Sequence, residues 1–319
     1  MRKFIITILR FSLVFLVVSA ITVSFLTKIV ERVEFPDSDM YYSDEFDYAF
    51  KEKNIELLAL GNSKLLSALD KSTLEDELNM KCAILGYSSA NISISKLTLE
   101  SYLNKCIEKP KMILLEVSWF TFNDSRTGFH KIGQELLLRD LHLWVNVFKY
   151  QPSITHNLGY IIIQEMFGLL NFQRNEIRKN YGLRFKECSP ISKDYEFDLV
   201  SFSKVFPDSV AGINDLLIKD YESIINLCNK YDIELVLFTT PEDESYSRLQ
   251  LDRMEIKRIF QKTKRENQNV VYLDYAPFGD LWNKNHEMWL GDSHHLNCKQ
   301  LFTNVLTKDI KLMIRKRPS

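Results

Sequence analysis

A serine that could act as a nucleophile lies at a predicted turn in the first third of the sequence. Gly61-Asn62-Ser63 directly follows the short apolar run Ile55–Leu60 and precedes leucines at helical spacing. A serine at such a strand-to-helix turn exposes its hydroxyl at the edge of a sheet, and its own backbone N–H can stabilise an oxyanion. Taken alone, the tripeptide is more typical of an ordinary turn in which Ser63 caps the following helix.

A base that could activate this serine lies near the C-terminus, in the segment Asp292-Ser293-His294-His295-Leu296-Asn297. An aspartate and a histidine three residues apart in a turn can face the same way. The carboxylate of Asp292 can then orient the His295 imidazole to accept a serine proton. A solvated loop that caps the last helix is the plain alternative. A metal site is less favoured, because no third ligand is identifiable beside the two histidines, and we predict no metal and no cofactor.

Two further segments follow apolar runs and could reach the same site. Gly86, in Leu85-Gly86-Tyr87, could let an oxyanion approach the backbone closely, although a glycine that simply ends a strand explains it equally well. Thr240–Glu244 could contact a substrate, but a solvated acidic loop is the favoured interpretation.

Five short apolar runs, each bounded by polar or turn residues, predict buried strands. Amphipathic helical patterns lie between them, such as Leu217, Tyr221, Ile224 and Cys228. This alternation predicts an α/β fold with a mainly parallel five-stranded sheet and helices on both faces, whose site lies at the carboxyl ends of the strands. The predicted strands are Ile55–Leu60, Cys82–Leu85, Met112–Val117, Ile233–Thr239 and Val270–Leu273.

A long aromatic-rich interval, about 119–210, interrupts the alternation after the third strand. It predicts a helical cap over the catalytic edge. Trp119, at its start, and Trp289, just before the Asp–His segment, are candidates for stacking on a sugar ring, although aromatic residues there also commonly pack against helices.

The N-terminal segment predicts a membrane anchor. The uncharged run Phe11–Thr27 is long enough for a bilayer, which needs roughly 17 to 25 residues. Basic residues precede it and acidic residues follow it, which favours a cytoplasmic N-terminus and an extracytoplasmic body. A cleaved signal peptide ending near Val18-Ser19-Ala20 is the alternative. The predicted organisation is an anchor over 1–30, a linker over 31–53 and one α/β domain over 54–319.

The amino-acid composition argues against several classes of protein. The 319 residues are 45% hydrophobic and 26% charged, which excludes a disordered chain. The net charge of −1 does not suit a nucleic-acid binder, which needs a basic surface. The 5 cysteines have no CxxC spacing, so they predict neither a zinc site nor a dense disulfide framework.

The motifs, in their order along the chain, resemble those of the SGNH (GDSL-like) hydrolase superfamily. Asp292-x-x-His295-Leu-Asn matches the usual C-terminal signature of that family, and Asn62 stands where an aspartate is usual. The resemblance implies a flavodoxin-like three-layer fold with Ser63 as nucleophile, His295 as general base and Asp292 as its orienting partner. It also implies an oxyanion hole formed by Ser63, Gly86 and Asn123, although Asn123 lies several residues later than the family pattern places its asparagine.

With its single N-terminal membrane helix, the chain resembles superfamily members that modify bacterial envelope polysaccharides or teichoic acids. The resemblance implies an extracytoplasmic serine esterase or O-acyltransferase that acts on acetyl or other acyl esters of a cell-envelope glycan. A membrane-bound acyltransferase would be a natural partner. The alternative is a non-catalytic accessory or glycan-binding subunit of an acylation complex, which the displaced Asn123 favours and the complete Ser63, Asp292 and His295 set opposes.

Overall fold

The computed structural model describes residues 41–52, 54–86, 90–122, 213–242, 253–276, 296 and 299–316. The chain divides into two compact units, Met1–Asp39 and Met40–Ser319, and every described residue belongs to the second. The predicted anchor, nearly all of the predicted cap and the segment 291–295 lie outside the described residues. None of the described helices is both long enough and apolar enough to cross a bilayer.

The described strands form one parallel sheet of five strands in the order β2-β1-β3-β4-β5. All five predicted apolar runs form strands, because each can bury side chains on both faces of the sheet. This order is the flavodoxin-like one, in which the chain changes direction across the sheet between β1 and β3. The strands are β1 Leu57–Gly61, β2 Cys82–Gly86, β3 Met112–Glu116, β4 Glu234–Thr239 and β5 Val270–Asp274.

Helices cover both faces of the sheet, as the sequence predicts. The helices are α1 Tyr41–Lys51, α2 Ser63–Ala68, α3 Lys71–Leu78, α4 Ile92–Lys105, α5 Asp215–Lys230, α6 Arg253–Glu266 and α7 Lys299–Lys316, with a 3-10 turn at Trp119–Phe122. Within β1, Leu58 and Leu60 face the core shared with α1, α4, α5 and α6. Leu57 and Ala59 face the opposite core, shared with α2, α3 and α7. The fold is therefore a three-layer α/β/α domain.

One part of the predicted organisation needs correction. The sequence predicts a linker over 31–53, but from Tyr41 onward the structure has the helix α1. Phe46 and Ala49, three residues apart on one side of this helix, are almost completely buried against the first core. The acidic, tyrosine-rich composition suggested a solvated segment and concealed this short apolar face.

Candidate active site

The turn between β1 and α2 places Ser63 at the first position of a helix. Asn62 is the N-cap residue: its backbone is extended, and its side-chain Oδ1 accepts a hydrogen bond from the Lys64 N–H at 2.8 Å. The interpretation in which Ser63 caps the helix is therefore wrong. Because the cap uses the side chain of Asn62 and the N–H of Lys64, it leaves the hydroxyl and the N–H of Ser63 available for other contacts.

Ser63 is also the accessible residue of this helix. The other five residues of α2 are buried, whereas Ser63 is half-buried. The helix begins at the carboxyl end of β1, beside β3, where the strand order reverses. Ligands of open parallel sheets bind at this kind of position. The sequence-predicted nucleophile therefore stands where the fold provides a binding crevice.

Both glycines predicted near the site permit close packing. A Cβ at Gly61 would lie 2.8 Å from the Cβ of Glu116 in β3, and one at Gly86 would lie 2.9 Å from the Cγ of Leu66. Gly61 therefore allows β3 to bring Glu116 against the turn, and Gly86 allows α2 to pack over β2. The close contact with Leu66 is enough to explain why a glycine occupies position 86. The role of Gly86 as an oxyanion donor stays a prediction.

Four buried polar side chains surround the turn that carries Ser63: Asn62, Lys64, Glu116 and Glu242, which we call the polar floor. The Nδ2 of Asn62 donates a hydrogen bond to Oε2 of Glu116 at 2.5 Å. Lys64 forms an ion pair with Glu242, with 1% and 3% of the two side chains exposed. The polar floor thus connects the turn after β1 with the last residue of β3 and with the segment after β4.

Within the polar floor, the carboxyl group of Glu116 has a pKa that its burial shifts strongly. Burial raises its pKa from 4.5 to about 7, and the nearby charge of Glu242 acts in the same direction. The charge of Lys64 and the hydrogen bond from Asn62 oppose this rise. Its second oxygen, Oε1, is buried and has no hydrogen-bond partner among the described residues. Near pH 7, Glu116 therefore changes between a neutral and an ionised form inside the protein.

Two hydroxyls close to Glu116 are also unpartnered within the described part of the chain. They are the buried Oγ of Ser118 and Oγ1 of Thr240. Glu116 pairs with Phe238 in the β3–β4 register, and Ser118 and Thr240 each follow two residues later. This edge of the sheet therefore carries several polar groups with unused hydrogen-bonding capacity.

Sequence reasoning missed the polar floor. It assigned Thr240–Glu244 to a solvated acidic loop, and this is wrong for Glu242, which is buried against Lys64. It treated Glu116 only as part of the third apolar run. An acidic residue inside a run predicted to be buried was the available signal, since a buried carboxylate requires a partner.

The predicted partners of Ser63 fall outside the described residues: Asp292, His295, Asn123 and Trp289. Trp119 begins the 3-10 turn after β3, at the same edge of the sheet. Leu296, which follows His295 in the chain, is described and is 2% exposed. Its backbone N–H donates to the Oγ of Ser67 at 3.4 Å, and its side chain packs in the same cluster as Leu65. The structure thus places Leu296 against the helix that Ser63 begins.

Comparison with known proteins finds structural similarity only. No family model and no curated protein matches the sequence. A Bacteroides fragilis protein assigned as an acylhydrolase has 11% identity, covers 89% of this chain and 98% of its own, and has a TM-score of 0.43. A GDSL-like lipase from Bacteroides thetaiotaomicron has 9% identity, coverages of 86% and 98%, and a TM-score of 0.41. A family two carbohydrate esterase from Clostridium thermocellum has 9% identity, coverages of 82% and 65%, and a TM-score of 0.37. These three structures are named as an acylhydrolase, a GDSL-like lipase and a carbohydrate esterase.

Proposed function

We propose that this protein is a serine esterase or O-acyltransferase with Ser63 as its nucleophile. The observation that carries the proposal is the position of Ser63. It is the accessible residue of a helix that starts at the carboxyl edge of the sheet, between β1 and β3, and Asn62 performs the capping in its place. A serine in this position can attack an acyl carbonyl held in the crevice.

The reaction requires a base, and the contact at Leu296 supports His295 in that role. Ser67 lies four residues, about one helical turn, after Ser63, a rise of about 6 Å. Leu296 is hydrogen-bonded to Ser67, and His295 is one residue, about 3.8 Å, back along the chain. In the proposed mechanism His295 takes the Ser63 proton, and Asp292 stabilises the resulting imidazolium.

The tetrahedral intermediate formed by this attack carries a negative oxygen that needs donors. The N–H of Ser63, which the Asn62 cap leaves unused, is the first proposed donor, and Gly86 at the end of β2 and Asn123 are the others. When the intermediate collapses, the alcohol of the ester leaves with the proton from His295, and the acyl group stays on Ser63. Water as acceptor then gives an esterase, and a sugar hydroxyl gives a transferase.

We further propose an acyl ester of a cell-envelope glycan as the substrate. The apolar run Phe11–Thr27 and the charges around it support an anchored protein with its body outside the cytoplasm, where such glycans lie. Trp119 and Trp289 are proposed to stack on the sugar. A membrane-bound acyltransferase would be the partner that supplies acyl groups.

The experiment is hydrolysis of p-nitrophenyl acetate by the full-length protein. We expect turnover that Ser63→Ala and His295→Ala abolish. Ser223→Ala is the matched control, because Ser223 is a half-buried serine, as Ser63 is, and its hydroxyl donates to the Lys219 carbonyl on the same helix, α5. Full turnover by Ser63→Ala contradicts the proposal. A folded wild-type protein with no turnover supports the accessory-subunit alternative. Product analysis with a glycan acceptor separates an esterase from a transferase.

A further inference from the structure

The side chain of Asn62 makes two contacts with opposite ends of its amide. Its oxygen accepts from the Lys64 N–H at 2.8 Å, which forms the helix cap. Its nitrogen donates to Glu116 at 2.5 Å. Since an amide has its acceptor and donor on different atoms, the contact with Glu116 determines which atom faces the helix. The carboxyl group of Glu116 therefore controls the orientation on which the cap of the Ser63 helix depends.

The packing around this contact leaves it little room to rearrange. Asn62 and Glu116 are 4% and 3% exposed. Gly61 lets Glu116 approach so closely that a Cβ added at Gly61 would lie 2.8 Å from the Cβ of Glu116. On the other side of the turn, Lys64 is held by Glu242. The residues on both sides of Ser63 are thus fixed from β3 and from the segment after β4.

The residue type at position 62 matches this arrangement. The superfamily that the motifs resemble usually has an aspartate here, and an aspartate would set one carboxylate against that of Glu116. An asparagine provides the N–H donor that a buried carboxylate needs. Asn62 and Glu116 thus form a complementary pair, and changing one of them should require a change of the other.

We propose that Glu116 is a positioning residue for the nucleophile, acting through Asn62 to fix the turn that presents Ser63. This inference rests on the proposed esterase function. It predicts that disruption of the pair lowers kcat at each intact active site, because small displacements of a reacting group are costly, on the order of 10²-fold for about 1 Å. The KM for a small ester should change little, because neither side chain is proposed to contact the substrate.

The test is an exchange of the two residue types in the full-length protein. N62D, assayed at pH 9 so that Glu116 has no proton to share with the new carboxylate, places two charged groups together and is expected to lower kcat about 10²-fold. N62D/E116Q restores one donor and one acceptor with their roles reversed, and is expected to return kcat to within several-fold of the wild type. E116Q alone keeps an acceptor for Asn62 and should retain most activity. Rates are expressed per folded molecule, with the folded fraction measured by circular dichroism, so that partial unfolding does not count as loss of kcat.

The outcomes separate this inference from the proposed function. If the wild type shows no turnover, or Ser63→Ala retains it, both fail together. If the wild type is active and Ser63→Ala is not, a fully active N62D overturns the inference alone. The same holds if N62D/E116Q stays as inactive as N62D or does not fold, because the exchanged pair should restore the contact even where N62D itself is unfolded.

Discussion

The raised pKa of Glu116 predicts an unusual dependence of stability on pH. The carboxyl group has a pKa of about 7 in the folded protein, against 4.5 for an ordinary glutamate. Between these values the folded protein holds a proton that the unfolded chain has released, so stability falls as the pH rises. Gln at this position cannot titrate. E116Q should therefore become more stable relative to the wild type as the pH increases.

The size of this effect follows from the gap between the two pKa values. At about 1.4 kcal/mol per pH unit, the difference in unfolding free energy between E116Q and the wild type should grow by roughly 3 kcal/mol from pH 4.5 to above pH 7. Full burial of the carboxyl group means that solvent screening reduces this value little. The charges of Lys64 and Glu242, which face Glu116, are common to both proteins.

The measurement is urea unfolding of the full-length proteins in a non-ionic detergent, followed by circular dichroism at pH 5, 6, 7 and 8. E56Q is the matched control. Glu56 precedes β1 at the opposite edge of the sheet, and its pKa is lowered, chiefly by a hydrogen bond from Lys111. A lowered carboxyl pKa affects stability only as the pH falls through the acid range, so E56Q should differ from the wild type by a constant amount over this series. A constant difference for E116Q as well would refute the reasoning.

Three other properties can be tested on the same protein. Gly61→Ala should lower the free energy of unfolding by about 1–3 kcal/mol, because its Cβ would press on that of Glu116, and an unchanged urea midpoint would contradict this packing. Lys64→Met removes a buried ion-pair partner of Glu242 and should cost about 3–5 kcal/mol, most of which K64M/E242L should restore. Burial raises the pKa of Cys82 to about 12, so iodoacetamide at pH 7.5 should modify Cys82 only after unfolding, as peptide mass spectrometry would show.

The sequence predicts the sheet well because buried parallel strands have a local signature. Runs such as Met112–Val117 and Ile233–Thr239 can form strands wherever the remainder of the chain lies, and the structure has strands at both. The strand order is not local. It depends on which face each crossing helix covers, and it entered the sequence analysis only through the family resemblance.

In the candidate site, too, the sequence predicts the local features and not the contacts between distant residues. Gly61-Asn62-Ser63 follows the end of an apolar run, and the structure places it at the expected turn. Lys64 and Glu242 are 178 positions apart in the sequence, so no local sequence pattern predicts that they pair. Glu242 therefore looked like a member of a solvated acidic loop. The polar floor is a property of the folded sheet edge and becomes visible only when the strand ends are brought together.

The proposed function depends above all on Ser63 being an activated nucleophile. The most direct measurement treats the folded full-length protein with a fluorophosphonate and maps the adduct by peptide mass spectrometry. If Ser63 is activated by His295, we expect one adduct, on Ser63, which is absent after heat denaturation and absent in His295→Ala. An unlabelled Ser63 in folded protein, or an adduct on another serine that survives Ser63→Ala, would contradict it.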